Sequence, residues 1–305
     1  MHNAFLFPGQ GSQYVGMGQD FYNNSNYAKE LYNLASEILG FNLEKISFDG
    51  PDDILKETQY TQPAIFVCSI IVDQFLKNKG ISPDAVAGHS LGEFSALVSA
   101  GVLTFEDALQ IVKLRSSEMA IAGQNSPGAM AAILGADDKH LDIICNQNGI
   151  VVPANMNAPG QTVISGEIEA VNKAIQSAKE LGIKRAIALN VSGAFHSPLM
   201  ASAREPLNSL MDSINFKNAN IPVFQNVSAS PITKAKAIRE NLLNQLEKPV
   251  LWFETILNLK YMGISKFYEV GPGKVLKGLN RRIYPESTTI TCELLENIEE
   301  TCESI

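Results

Sequence analysis

The 305-residue sequence is short of the residues that metal, membrane and nucleic-acid chemistry need. Its four cysteines, Cys68, Cys145, Cys292 and Cys302, form no CxxC pair, and none stands at metal-ligand spacing from one of the four histidines. Neither a metal site nor a disulfide framework is expected; free thiols in a reducing compartment are. Basic residues are outnumbered, 24 Lys and Arg against 32 Asp and Glu, and the net charge of −8 sets nucleic acid aside as a partner. No apolar run reaches the roughly 20 residues that a membrane helix needs. The opening MHNAFLFPGQG has a short apolar run with no basic segment ahead of it, which reads as a first core strand rather than a signal peptide. Internal repeats and low-complexity blocks are missing too. These absences leave a cytoplasmic globular protein, or the mature form of an organellar one.

Hydrophobic residues make up 45% of the chain and charged residues 18%, enough to bury a substantial core in one large domain or two unequal ones. Strand and helix patterns alternate at first. NAFLF reads as a buried strand, NYAKELYNLASEILG as a helix capped by Gly40, and TQPAIFVCSIIVDQFLKNKG as a strongly apolar helix. PDAVAGHS follows as a second strand, and TFEDALQIVKLRSSEMAIAG as another helix. This alternation predicts an α/β fold with a parallel sheet covered on both faces.

The pattern changes near Pro127. GAMAAILG, DKHLDIICNQN, VVPANMNA, QTVISG, IEAVNKAIQSAKELG and KRAIALNV read in order as β-α-β-β-α-β, the ferredoxin-like arrangement. We therefore expect a small inserted domain over 127–193 and a large discontinuous domain formed by 1–126 and 194–305. The large domain resumes with helices after His196 and strands at IPVFQNVS and KFYEVGPG. The tail PESTTITCELLENIEETCESI holds six glutamates and no Lys or Arg, and reads as a solvated C-terminal helix.

Gly88-His89-Ser90-Leu91-Gly92 sits where a small-residue strand meets a helix. A sharp strand-to-helix turn pushes a serine out into a cleft, and flanking glycines relieve the crowding. The helix start supplies unpaired N–H groups that can stabilise an oxyanion, with the Leu91 N–H as the natural donor. A nucleophilic serine needs a base. His2 is terminal, His140 lies in an exposed helix, and His89 adjoins Ser90 with its side chain expected to point away. That leaves His196, in VSGAFHSPLM at the return from the insert. No Asp is marked to orient its second N–H, so a backbone carbonyl or an amide side chain is expected to serve.

Eight motifs occur in order: FPGQGSQYVGMG, TQPAIF, GHSLGEFSAL, VKLRSSEM, NAPGQTVISG, AFHSPLM, QLEKPVLW and YEVGPGKVL. Together they resemble the malonyl-CoA:acyl carrier protein transacylases, the stand-alone acyltransferases of bacterial-type fatty acid synthesis. The resemblance runs from residue 5 to about 282 and implies an α/β-hydrolase-like core with the ferredoxin-like insert. It implies Ser90 as the acyl-accepting nucleophile, His196 as general base, and Gln245 orienting His196 through its backbone carbonyl. Gln10 and Leu91 would supply the oxyanion-hole N–H groups. Arg115 would hold the free malonyl carboxylate, with Gln62 nearby. A buried guanidinium needs an anion, and a carboxylate fits its fork. Phe195, as a bulky residue before the histidine, would go with malonyl rather than methylmalonyl.

The implied substrate is malonyl-CoA, with no cofactor, and the implied partner is an acidic acyl carrier protein. Lys184, Arg185, Lys274, Lys277, Arg281 and Arg282 are candidates for a basic docking surface or for contacts with CoA phosphates. A serine esterase or thioesterase would share the elbow and the histidine, and a polyketide-pathway malonyl transferase would share the whole set. A non-catalytic scaffold would be expected to lose at least one of Ser90, His196 and Arg115.

Overall fold

A computed structural model describes residues 2–303, with side chains through Thr301; the Cys302 thiol lies outside the described residues. In chain order the strands are β1 (Asn3–Phe7), β2 (Ala85–Gly88), β3 (Gly128–Leu134), β4 (Val151–Ala158), β5 (Gln161–Glu167), β6 (Arg185–Ala188), β7 (Val223–Phe224), β8 (Pro231–Ile232), β9 (Lys266–Glu269) and β10 (Thr288–Thr291). They form two sheets, ordered β10-β9-β1-β2-β7-β8 and β4-β5-β3-β6.

The larger sheet is parallel from β10 to β7, and β8 adds an antiparallel edge. Its centre is apolar on both faces, as a parallel sheet clad in helices requires. Phe5, Phe7 and Val86 point into one core with Phe66 and Ile111, from the helices Thr58–Asn78 and Phe105–Asn125. The alternate residues Ala4, Leu6, Ala85 and Ala87 point into the other, with Trp252, Ile256 and Leu279 from the helices Trp252–Tyr261 and Val275–Ile283. The period of two along β1 and β2 thus serves two cores at once.

Every pairing in the smaller sheet is antiparallel. Its helices, Asp138–Cys145 and Ile168–Glu180, pack Ile144, Val171 and Ala174 against Ile133 and Ile164. The order of elements is the β-α-β-β-α-β expected from the periodicities. Met156 N–H donates to the Val250 carbonyl and Val250 N–H to the Ala154 carbonyl, both at 2.9 Å, tying β4 to the chain before Trp252. Gly40 ends the helix Asn26–Leu39 in a left-handed conformation, φ 83°, as anticipated.

The tail departs from expectation. Thr288–Thr291 is not helical but pairs parallel with β9, and only Leu295–Glu303 is a helix. Leu295 N–H donates to Asp20 Oδ2 at 2.8 Å, and Ile298 is buried. The β-branched run Thr-Thr-Ile-Thr suits a pleated edge, a local preference that outweighs the acidic composition. Among the described residues no helix is long and apolar enough to cross a membrane.

Because β1, β2, β7 and β9 run parallel, their C-terminal ends open on one edge, where the loops after β1, β2 and β7 meet. The approach is close. A Cβ on Gly92 would stand 2.0 Å from the Phe7 carbonyl oxygen, and one on Gly9 would stand 2.3 Å from the His89 carbonyl oxygen. Both obstacles are backbone and cannot swing aside. Gly92→Ala is therefore expected to lose at least about 2 kcal/mol in urea denaturation, the upper range for overpacking. Unchanged stability would show that the loop after β1 is free to retreat.

Candidate functional site

Ser90 occupies the turn between β2 and the helix Gly92–Ser99 with φ 51°, a left-handed conformation that a residue with a Cβ adopts at a cost of about 1–2 kcal/mol. Neighbouring side chains hold its backbone there. Its N–H donates to Asn226 Oδ1 at 2.7 Å, and its carbonyl accepts from Gln245 Nε2 at 3.0 Å. Asn226 Nδ2 also donates to the Gly88 carbonyl at 2.6 Å. Asn226 follows β7, the parallel neighbour of β2, so the topology delivers it to the elbow.

His196 lies between β6 and the short 3-10 helix Pro198–Ala203, buried and also left-handed at φ 57°. Its Nε2 is 2.8 Å from Ser90 Oγ, and its Nδ1 is 2.8 Å from the Gln245 carbonyl oxygen. Gln245 ends the helix Ala235–Asn244, where carbonyls have no intrahelical partner. A carbonyl only accepts, so Nδ1 carries the proton and the Nε2 lone pair faces the hydroxyl. Burial, reinforced by the nearby Arg115 charge, lowers the imidazole pKa to about 3, which keeps it neutral.

Arg115 projects from the helix Phe105–Asn125 and is buried. Nη1 donates to Gln62 Oε1 at 2.5 Å, and Nη2 to Gln245 Oε1 at 2.8 Å and Ser90 Oγ at 3.1 Å. Its Cζ lies 5.4 Å from the Phe94 ring centroid. No carboxylate among the described residues is in ion-pair contact with it. Burial lowers its pKa to about 10, with the Glu93 charge opposing, and it stays a cation at neutral pH.

These groups open on a cavity of about 400 Å³. Ser90, Leu91, Arg115 and His196 line it with Gln10, Gln62 and Phe195, whereas Gln245 stands behind His196. The Gln10 and Leu91 N–H groups have no hydrogen-bond partner among the described residues. Met130, Asn155, Asn157 and Val163 of the smaller sheet line the cavity too, as do Val275, Leu276 and Leu279.

The six basic candidates are all exposed and none lines the cavity. Lys184 and Arg185 lie at and just before β6. Lys274, Lys277, Arg281 and Arg282 lie on or at the start of the helix Val275–Ile283. Arg282 reaches the rim through Gln161 Oε1, at 2.8 Å.

Several residues escaped the sequence reading. Glu93 is fully buried one turn from Ser90 and accepts from Gln225, Asn226 and Gln245. Burial raises its pKa, and those three donors oppose the rise. Lys56 lines the cavity and pairs with Asp52. His89 places Nε2 2.8 Å from Asn157 Oδ1 and tilts its ring 5.5 Å from Trp252, so it points away from the Ser90 hydroxyl. His140 serves in a capping box with Asp137. The signal for Glu93 was present in GHSLGE, but an acid in a first helical turn also reads as a dipole partner. Among the described residues no cluster of three or more His, Cys, Asp or Glu could hold a metal.

Residues 4–296 match the family model described as the acyl transferase domain. The chain is 46% identical over 300 residues to the malonyl CoA-acyl carrier protein transacylase of Bacillus subtilis, covering 97% of this chain and 95% of that one. Among solved structures, a malonyl-transacylase in complex with a type II PKS acyl-carrier protein superposes with TM-score 0.96 and 38% identity, covering 100% of both chains. The malonyl CoA-acyl carrier protein transacylase of Coxiella burnetii gives TM-score 0.96 and 37% identity, covering 99% of this chain and 97% of that one.

The depressed pKa of His196 links the site to stability. Below an unfolded pKa near 6.5 the unfolded chain gains a proton there that the folded chain refuses, so folding weakens as pH falls. Replacing His196 by Gln removes this handicap. Going from pH 7 to pH 5, the stability difference between His196→Gln and the parent should move in the variant's favour by up to about 2 kcal/mol. A difference that does not change with pH, measured by urea denaturation, would mean that His196 takes up its proton in the folded state.

Proposed function

We propose, from the premise that the chain belongs to the acyl transferase domain family, that it carries malonyl groups from malonyl-CoA to the phosphopantetheine thiol of an acyl carrier protein. One observation carries the reading. A hydroxyl faces a neutral imidazole lone pair on one side and, on the other, a buried guanidinium with no carboxylate partner among the described residues.

The reaction runs in two halves. The Nε2 lone pair of His196 takes the Ser90 proton as Oγ attacks the thioester carbon. The carbonyl oxygen becomes an oxyanion, held by the Gln10 and Leu91 N–H groups. The C–S bond then breaks, CoA leaves with the proton from His196, and a malonyl-serine ester remains. The carrier thiol gives its proton to His196 and attacks that ester, and Ser90 departs with the proton returned. The Gln245 carbonyl keeps the imidazole in one tautomer throughout. No cofactor enters, because a thioester is already activated.

Arg115 receives the malonyl carboxylate, exchanging its hydrogen bond to Ser90 Oγ for a two-point contact with the anion, while Gln62 and the Gln245 amide keep hold of the guanidinium. That anion also screens the Arg115 charge, which adds to burial in depressing His196, and so makes the imidazole a somewhat better base once substrate is bound. Phe195 fills the space an α-methyl group would need. The cavity lies between the large unit, 1–126 and 194–305, and the inserted unit, 127–193, so two walls exclude water from the ester. The acidic carrier protein approaches over the basic helix after Gly273, with Arg281 and Arg282 exposed on it. A cytoplasmic setting fits this chemistry.

Intact-mass measurement after mixing with malonyl-CoA tests the reading. One malonyl group should appear on the parent chain, leave when holo-acyl carrier protein is added, and be absent on Ser90→Ala. Arg115→Ala should load malonyl about 100-fold more slowly yet accept acetyl at least as well, as expected for a lost charge-assisted pair. Release of free malonate in place of transfer would instead identify a hydrolase.

A further inference from the structure

Glu93 meets amides, not a cation. Its Oε1 accepts from Gln225 Nε2 at 3.0 Å; its Oε2 accepts from Asn226 N–H at 2.8 Å and Gln245 Nε2 at 3.1 Å. Three donors converge on it, and a carboxylate accepts from all three without offering a donor of its own. Gln225 is in turn fixed, donating to the Ile238 carbonyl and accepting from Asn241 Nδ2, both at 3.0 Å.

The Gln245 amide is two-ended, and each end has one kind of neighbour. Nε2 faces the Ser90 carbonyl at 3.0 Å, Glu93 Oε2 at 3.1 Å and Asn226 Oδ1 at 3.4 Å, all acceptors. Oε1 faces Arg115 Nη2, a donor, at 2.8 Å. Turned over, the amide would set oxygen against three acceptors and its NH₂ against the guanidinium. A neutral amide at position 93 would remove one of the two charged contacts that set the observed orientation, because it could present either end to Gln245.

We infer that Glu93 is a positioning residue: its carboxylate fixes which way the Gln245 amide points, and through that amide holds both the Arg115 guanidinium and the Ser90 carbonyl in place for acyl transfer. Glu93 does not line the cavity and touches no reacting atom. A carboxylate buried without a cation in contact is costly, and here it secures the orientation of a cation one amide away. The inference rests on the malonyl-transfer reading above.

The test compares kcat/KM for malonyl-CoA and acetyl-CoA, with pantetheine as thiol acceptor, in the full chain. Glu93→Gln should lower the malonyl-to-acetyl ratio at least tenfold, mainly through malonyl KM, as expected when a charge-assisted contact is misaimed. Glu93→Asp, which still only accepts, should keep the ratio within about threefold of the parent even where kcat falls. In a Gln245→Met background the Glu93→Gln change should leave the ratio within about twofold, because the amide through which Glu93 acts is gone. An undiminished ratio in Glu93→Gln, with only the melting temperature lowered, overturns the inference alone. A parent chain that does not prefer malonyl overturns it together with the reading it rests on.

If Glu93→Gln does not fold, labelling of Ser90 by phenylmethanesulfonyl fluoride decides, since that reagent has no carboxylate for Arg115. Gln245→Glu sets a second carboxylate against Glu93 and should label at least about tenfold more slowly than Gln245→Met, which removes the amide without repulsion. Equal labelling rates overturn the inference.

Discussion

The hydrogen bond between Ser90 Oγ and His196 Nε2 is the contact around which the rest of the site is arranged. It has the right polarity only if the imidazole proton sits on Nδ1, and the Gln245 carbonyl secures that by accepting there. The same residue's side chain supports the Ser90 carbonyl and the Arg115 guanidinium. Gln245 thus joins Ser90, His196 and Arg115, the proposed nucleophile, base and carboxylate-binding cation, at one helix end. Two of these residues, Ser90 and His196, hold left-handed backbone conformations, and local strain of this kind persists only where surrounding contacts over-determine it.

The second organising feature is a pair of buried charges kept apart. Arg115 and Glu93 are both inside, and the Gln245 amide separates them. A direct ion pair would have satisfied each and left the guanidinium no call for the substrate carboxylate proposed to bind it. With an amide between them the charges still attract, yet the guanidinium keeps donors to give. Burial, with the Arg115 charge adding to it, holds the His196 imidazole neutral.

Much of this was legible in the sequence because it is local. The small-residue strand, the flanking glycines and the helix start announce the elbow within 88–92, and close backbone approaches at Gly88 and Gly92 give those glycines their physical reason. The β-α-β-β-α-β order of the smaller sheet follows from periodicities of two and 3.6. His196 emerged by elimination among four histidines, and the structure sets it against Ser90. Asn226 and the Gln245 side chain were not legible as supports of the elbow. They are neutral amides 136 and 155 residues from the groups they bond, and nothing in their neighbours reveals that β7 and a helix end bring them there. Strand β10 was hidden by the acids around it, although its own four residues favour extended backbone.

All of this requires His196 to be neutral, protonated on Nδ1, with its Nε2 lone pair turned to Ser90. Nitrogen-15 shifts of its two ring nitrogens in the labelled full chain, followed from pH 5 to pH 8, measure this directly. One protonated Nδ1 and one bare, hydrogen-bond-accepting Nε2 are expected across the whole range. Titration of the ring near its ordinary pKa of about 6.5, or a proton resident on Nε2, would contradict it.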